Sequence, residues 1–177
     1  GTDALAAKNA TRAIPIVMAS AGDPVAIGLV ESLARPGGNI TGLSQIAPEL
    51  AGKRLELLKE IVPKLSRVAV LWNPQGQTST VGWKEIQLPA RELGVKLHSL
   101  EVRSSNDFDK AFEGATRAGA GALVIMPDPL FVSDLIRLAD FAATSRLASI
   151  SHLTEFVDSG GLVAYGPDRS DMFRRAA

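Results

Sequence analysis

The chain lacks the residues on which several kinds of site depend. It has no cysteine and only two histidines among 177 residues. Disulfides and thiolate chemistry are therefore excluded, and the sequence offers no basis for a zinc or di-histidine metal site. Lys+Arg and Asp+Glu both number 19, so the formal net charge is zero. Nucleic acids and acidic membranes attract basic surfaces, so the charge balance argues against either as the main partner.

Long apolar runs and catalytic motifs are missing too. No apolar run approaches the ~20 residues of a membrane-spanning helix. The sequence has no G-x-S-x-G elbow, no G-x-G-x-x-G turn and no phosphate-binding loop. Its acidic residues fall mostly on predicted helix faces, and no pair of them stands out as a general acid and base. A hydrolase or isomerase therefore finds no support in the residues.

Helices and strands are predicted to alternate along most of the chain. The helix after Pro48 places four apolar residues on one face: Leu50, Leu57, Leu58 and Ile61. The continuous apolar run Val68–Trp72 is typical of a parallel strand that is covered on both faces. Further strands are predicted at 95–100, 123–126, 147–150 and 162–165. Their spacing is close to the roughly 30 residues of a βαβ unit, which predicts an α/β protein with doubly wound parallel sheets.

Several helix ends and interruptions can be predicted from single residues. Pro89 should kink or split the helix in which it falls. Ser79 is predicted to cap the start of that helix, and Asn106 the start of the next one. His152 follows a strand, and a structural role is the favoured interpretation because the sequence offers no acidic partner.

The stretch before this series is predicted to form a strand, a loop, a helix and a second strand. Ile14–Met18 is the first strand, and Ala19–Asp23 is a loop of small residues. Asp23-Pro24 is typical of a helix N-cap followed by proline, and Arg35–Gly38 ends that helix. Asn39–Leu43 is extended again. Ligands of α/β sheets dock where a loop leaves a strand's carboxyl end, so this loop is predicted to form one wall of a small-molecule cleft.

Two extended segments divide the chain into two predicted lobes. One open sheet would be an alternative, but Asn39–Ile46 and Gly160–Gly166 both have the character of strands that cross between lobes. Residues 1–46 are then a remnant of a first lobe with its crossing strand. Residues 47–160 form the second lobe, and residues 161–177 form a second crossing strand and a helix that returns to the first lobe.

Three stretches resemble a known family. They are MASAGDPVAIGLVESLARPGGNITGLS, ELAGKRLELLKEIVPKLSRVAVLWNP and GGLVAYGPDRSDMFRRAA. Together they are similar to the ABC-transporter substrate-binding proteins of the tryptophan/tyrosine-binding-like group, which have the type I periplasmic binding fold. The resemblance implies a secreted, periplasmic receptor of two lobes. It would bind a small solute in the cleft and deliver it to a membrane permease, without catalysis and without a cofactor.

The chain departs from that family in extent. Members carry a leader and the opening βα units of the first lobe before the position of Gly1, and more chain after that of Ala177. The resemblance therefore implies an incomplete first lobe, whose residues Ile14, Ile16 and Met18 would be exposed. We expect a second copy of the chain, or further segments, to cover them.

Four candidate ligand contacts lie in the first lobe. The hydroxyl of Thr2, at the start of a predicted helix, could hold a ligand carboxylate together with free helix N–H groups, or could only cap that helix. Ser20 and Ala21 lie in the small-residue loop, where a ligand can approach the main chain. Asp23 is a candidate contact whose favoured alternative is a helix cap.

Five further candidates are predicted in the second lobe or at its crossing strand. Trp72 and Asn73 end a strand, where they could stack on or hydrogen-bond to a solute; the alternatives are a core Trp72 and an Asn73 that only turns the chain. Thr78 lies in the same loop. Asp128 ends a later strand and could pair with a ligand ammonium or act as a cap. Tyr165 lies on the second crossing strand.

These candidates predict an amino acid or a similar small organic acid as the solute. An apolar or aromatic side group is favoured because charge is scarce at the strand ends. The alternative is the effector-sensing domain of a lactose-repressor-type regulator, which has the same architecture.

Overall fold

The computed structural model describes residues 2–45 and 50–177, apart from the side chains of Thr2 and Asp3. Helices and parallel strands alternate in it, as the sequence predicts. The chain divides into two compact units, each with its own sheet. Val17 and Val70 lie in different sheets, so the alternative of one unbroken sheet is wrong.

The larger unit comprises residues 47–166 and contains five parallel strands. They are β3 (Arg67–Trp72), β4 (Lys96–Glu101), β5 (Ala122–Ile125), β6 (Ala148–Ser151) and β7 (Val163–Ala164). Their order across the sheet is β4-β3-β5-β6-β7. The chain steps from β3 out to β4 and then returns past β3 to β5. The strand order therefore reverses between β3 and β5, which is where α/β sheets open a crevice at the strands' carboxyl ends.

This sheet is covered on both faces because its central strands are apolar throughout. In β3, Val68 and Val70 belong to one hydrophobic cluster, whereas Ala69 and Leu71 belong to another. Successive side chains of a strand point to opposite faces, so the two clusters are the two faces of one sheet. All four residues are completely buried.

In the larger unit one helix precedes the first strand, and the others lie along the chain between successive strands. These helices are α2 (Ala51–Ile61), α3 (Gln77–Glu85), α4 (Gln87–Glu92), α5 (Phe108–Arg117), α6 (Pro129–Val132), α7 (Leu135–Thr144) and α8 (Glu155–Asp158). The split predicted at Pro89 is confirmed, because α3 and α4 are separate helices joined at Ile86. Pro89 also packs against α2, where a Cβ on Gly52 would lie 2.7 Å from its Cγ.

Two predicted caps are wrong. Helix α3 starts at Gln77, so Ser79 lies inside this helix and is buried. Instead of capping the helix, the Ser79 Oγ accepts a hydrogen bond from the Asn73 N–H. Asn106 lies inside a 3-10 turn (Ser105–Asp107) that leads into α5. That turn is capped by Ser104, in a reciprocal box with Asp107. Ser104 thus holds the N-cap position instead of Asn106, and its N–H and hydroxyl both donate to the Asp107 carboxylate.

The smaller unit comprises residues 1–46 and 167–177. It contains α1 (Thr2–Ala10), β1 (Ile16–Ala21), β2 (Ile40–Ser44) and α9 (Arg169–Ala176). The two strands are parallel, and α9 packs against both of them. Their core consists of Met18, Ala21, Leu29, Val30 and Ile40.

Two predictions for this unit are wrong. Ser20 and Ala21 do not lie in a loop, because β1 extends to Ala21. The short helix after Asp23 is replaced by a series of turns over residues 24–28. Gly28 adopts a left-handed φ of 70°, which ends the helical geometry after a single turn.

Candidate functional site

The candidate site lies at the carboxyl edge of the five-stranded sheet, where the strand order reverses. Asn73 directly follows β3, and Asp128 follows β5 after Met126 and Pro127. Because β3 and β5 are adjacent and parallel, the two polar residues meet at this edge. The Asn73 Nδ2 donates a hydrogen bond to the Asp128 Oδ1 over 3.3 Å.

Asp128 presents one oxygen to the protein and keeps the other available. Its Oδ1 also accepts from the Leu130 N–H at 3.0 Å, which caps α6 and bears out the capping alternative. Among the residues that the structure describes, none donates a hydrogen bond to Oδ2. The residue is nevertheless only 7% exposed. An accessible carboxylate oxygen without a donor, on a residue that is otherwise buried, is an acceptor that a ligand cation or N–H group could use.

Gly76 makes room for this carboxylate. A Cβ at that position would lie 1.9 Å from the Asp128 Oδ2, much closer than any real contact. The backbone of Gly76 is ordinary and extended, with φ −83° and ψ 117°. Glycine is therefore required here by the close approach of Asp128 and not by backbone conformation.

Asn73 orients the site through both ends of its amide. Its Oδ1 accepts from the Gln75 N–H at 2.9 Å, while its Nδ2 donates to Asp128. Its own N–H donates to the Ser79 Oγ at 2.9 Å. The loop that follows β3 is thereby fixed to the loop that follows β5. Asn73 thus turns the chain, which was the alternative to a solute contact, and it also orients Asp128.

Trp72 lies in the core, as its alternative interpretation held. It is 9% exposed and stacks on Trp83, with ring centroids 5.2 Å apart and an interplanar angle of 9°. Its Nε1 donates to the Ser99 Oγ at 2.8 Å. Since the ring face and the polar atom are both engaged, Trp72 is not retained as a solute contact. Thr78 is half-buried in the first turn of α3.

Tyr165 follows β7 at the same edge of the sheet. It is 38% exposed, whereas its backbone is held on both sides. Its N–H donates to the Ser151 carbonyl at 2.9 Å, and its carbonyl accepts from the Arg54 Nη1 at 3.1 Å. The nearby His152 is buried.

Arg54 is the feature of this edge that the sequence analysis missed. It lies on α2, is completely buried, and is the largest of the fully buried side chains in the described part of the chain. Burial lowers the pKa of its guanidinium from its ordinary value to about 10, so it remains charged at neutral pH. The sequence did contain a signal of this burial, because Arg54 falls on the same predicted apolar helix face as Leu50, Leu57 and Leu58.

The candidate ligand contacts that the structure describes in the smaller unit take part in local contacts or lie buried. The Ser20 Oγ accepts a hydrogen bond from the Gln45 Nε2, and Ala21 is buried in β1. The Asp23 Oδ1 accepts from two backbone N–H groups of the following turn, each at 3.0 Å, which fits the capping alternative. The Thr2 side chain lies outside the described part of the structure.

Metal and membrane sites find no support in the described residues. Over 2–45 and 50–177, no three histidine or acidic side chains come together as metal ligands. Within the same ranges, no helix combines the length and apolar character that crossing a membrane requires.

Comparison with known proteins identifies the family. A curated relative, the tyrosine-binding protein of Clostridioides difficile (strain R20291), is 30% identical over 173 residues. A solved structure of an ABC domain in complex with L-Trp from Streptococcus pneumoniae has a TM-score of 0.87 and 25% identity. A conserved domain protein from Vibrio cholerae has a TM-score of 0.89 and 28% identity.

Each of these similarities covers 98% of this chain, but the chain spans only 49% of the curated relative and 58% of either solved chain. The α/β architecture with parallel sheets is that of the type I periplasmic binding proteins, as the sequence predicted. The family model described as ABC transporter substrate binding protein matches residues 1–177. The chain therefore belongs to the family of ABC transporter substrate-binding proteins.

Proposed function

We propose that this chain is part of an extracytoplasmic receptor that binds an amino acid and delivers it to an ABC permease. The observation that carries the proposal is the Asp128 Oδ2, an oxygen of a nearly buried residue to which no described residue donates. An amino-acid ammonium is positively charged and has three N–H donors. It would therefore form the charge-assisted hydrogen bond that this oxygen can accept.

The relatives support an aromatic amino acid as the solute. The curated relative is named for tyrosine, and the Streptococcus pneumoniae structure holds L-Trp. In this chain the partly exposed ring of Tyr165 lies at the same edge of the sheet as Asp128, where it could contact an aromatic side chain. The carboxylate of the solute would then be bound from the first lobe, in the cleft predicted from the sequence, by Thr2 and by the O–H of Ser20, whose oxygen accepts from Gln45.

Periplasmic location and the permease partner follow from the family and belong to the same proposal. The family model describes substrate-binding proteins, which disfavours the regulator and gives no support to an enzyme. Solute binding would favour a closed form only through contacts that are made in the closed form alone.

The test is calorimetric titration with matched analogues. L-tyrosine and L-tryptophan are titrated into the chain, alongside 3-(4-hydroxyphenyl)propionic acid, which lacks the amine. We expect heat of binding from an amino acid and at least ten-fold weaker binding of the analogue. If neither amino acid produces heat or thermal stabilisation, binding of aromatic amino acids by this chain is contradicted.

Asp128→Asn tests the ammonium contact in particular. The amide can keep the two hydrogen bonds of Oδ1, but it places an N–H donor where Oδ2 was. We expect amino-acid binding to weaken at least ten-fold while the thermal midpoint changes little. Asp140→Asn is the control, since it makes the same charge change at an exposed position of α7. Equal effects of the two variants would contradict the assignment.

A second copy of the chain is proposed to cover the exposed face of β1. Met18 is buried and Ile16 half-buried, contrary to the expectation that both would be exposed. Ile14 and Val17 are 65% and 56% exposed, as is typical of an apolar contact surface. Sedimentation velocity should detect a dimer that Val17→Lys dissociates. A monomer at all micromolar concentrations would contradict self-association.

A further inference from the structure

Arg54 lies in an unusual environment for an arginine, because its side chain is completely buried. A fully buried arginine is expensive, because its charge loses hydration that only good hydrogen bonds can replace. Its guanidinium is directed at a main-chain carbonyl, that of Tyr165, at 3.1 Å. The two residues are 111 positions apart in the chain. One of the groups that this buried charge binds is therefore a piece of backbone far away in the sequence.

That piece of backbone is the segment through which the chain leaves the larger unit. Tyr165 and Gly166 are its last two residues, and we refer to them as the exit segment. At least three contacts within the described part of the chain hold it: the bond to Arg54, the Tyr165 N–H bond to Ser151, and the packing of Gly166 on His152. A Cβ at Gly166 would lie 2.2 Å from the His152 carbonyl oxygen, so no other residue fits so closely.

We propose that Arg54 is a positioning residue that holds the exit segment against the sheet and thereby fixes the Tyr165 ring at the carboxyl edge. The strand before this segment, β7, has only two residues. Its ladder to β6 is correspondingly short, so few backbone hydrogen bonds besides that of the Tyr165 N–H to Ser151 place Tyr165 on the sheet. Arg54 provides the missing constraint from α2, which packs against β6. The effect on solute binding rests on the proposed function, whereas the effect on Tyr165 does not.

The single tyrosine of the chain makes this measurable. Protein labelled with 3-fluorotyrosine gives one 19F resonance, which reports on Tyr165 alone. In the unsubstituted chain we expect one narrow line. Arg54→Met removes the donor but keeps an unbranched side chain that fills much of the buried space, and we expect the line to shift and broaden. Arg54→Lys restores a charge and a donor without the planar fork, and should restore the line in part.

The matched control is Lys59→Met on the same helix. Lys59 also donates to a main-chain carbonyl, that of Leu65 at 2.6 Å. Its loss should lower the thermal midpoint without moving the Tyr165 line. If Arg54→Met lowers the midpoint but leaves the line narrow and unshifted, Arg54 is merely structural and the proposal is overturned. If Arg54→Met fails to fold, Arg54→Gln takes its place, because its polar side chain is too short to reach the Tyr165 carbonyl; an unchanged line in that variant overturns the proposal equally.

Titration with L-tyrosine and L-tryptophan adds the functional readout. Loss of one charge-assisted hydrogen bond corresponds to roughly 10- to 150-fold in affinity if its whole effect reaches the solute. We expect a loss of up to that size in Arg54→Met, a smaller one in Arg54→Lys and none in Lys59→Met. If the unsubstituted chain binds neither amino acid, the proposed function fails, and the 19F comparison still decides the role of Arg54. If the 19F resonance of Tyr165 shifts while the affinity for both amino acids stays unchanged, the claim that the position of the Tyr165 ring affects solute binding is overturned.

Discussion

Gly76→Ala isolates the contact on which the candidate site is built. The new Cβ would lie 1.9 Å from the Asp128 Oδ2 and 3.1 Å from its Cγ. The backbone at this position accepts alanine without strain, so the effect must come from the displaced carboxylate. Moving it breaks the Oδ1 bonds to the Leu130 N–H and to the Asn73 amide.

The two lost hydrogen bonds determine the expected decrease in the free energy of unfolding. A side-chain cap contributes about 1 kcal/mol, and a further hydrogen bond about 1 kcal/mol. We therefore expect Gly76→Ala to lower the free energy of unfolding by about 2 kcal/mol. For a chain of this size that corresponds to a fall of roughly 4–8 °C in the thermal midpoint, measured by circular dichroism.

A double-variant cycle separates the clash from other effects of the alanine. If the Cβ acts through Asp128, Gly76→Ala should add little once Asp128→Ala has removed the carboxylate. Gly38→Ala is the control, because a Cβ there would meet no atom within 4 Å. An unchanged midpoint in Gly76→Ala, or fully additive losses in the double variant, would refute the reasoning.

Two other predictions concern parts of the chain away from the site. Hydrogen bonds from the backbone N–H groups of Arg103 and Ser104 hold the pKa of the Asp107 carboxyl below its ordinary value of 3.8. The charged form is thus favoured by folding, so its stabilisation is present above pH 4 and is lost as the pH falls through the lowered pKa. The gap in thermal midpoint between the unsubstituted chain and Asp107→Asn should therefore narrow from pH 5 to pH 3; a constant gap would contradict this. Gly42→Ala should destabilise the smaller unit by about 3 kcal/mol or more, because φ is 138° there and a Cβ would lie 2.1 Å from the Met18 carbonyl oxygen. Denaturant unfolding checks the second prediction, and a variant as stable as the original chain would rule it out.

The larger sheet could be predicted because its signal is local. The run Val68–Trp72 is apolar at every position, and only a strand covered on both faces buries such a run. The split near Pro89 followed from the missing N–H of proline. By contrast, the helix expected after Asp23 had a genuine cap signal, since Asp23 does accept two backbone N–H bonds. The left-handed Gly28 ended it, and sequence alone does not say which glycine adopts that conformation.

The candidate site could be predicted only in outline. Parallel strands place Asn73 and Asp128 at one edge, so their proximity followed from the fold. Their hydrogen bond joins residues 55 positions apart, and it depends on a register that no local pattern encodes. The same is true of Trp72, whose indole N–H is taken by Ser99 of the adjacent strand. Arg54 was missed because a charged residue on a helix is ordinarily assigned to solvent.

The most direct test of the account is a crystal structure of this protein with the amino acid that stabilises it most. The account predicts that the ligand's ammonium nitrogen lies about 3 Å from the Asp128 Oδ2, a hydrogen-bond distance. An amino acid bound elsewhere, or bound here with its carboxylate facing Asp128, would contradict it.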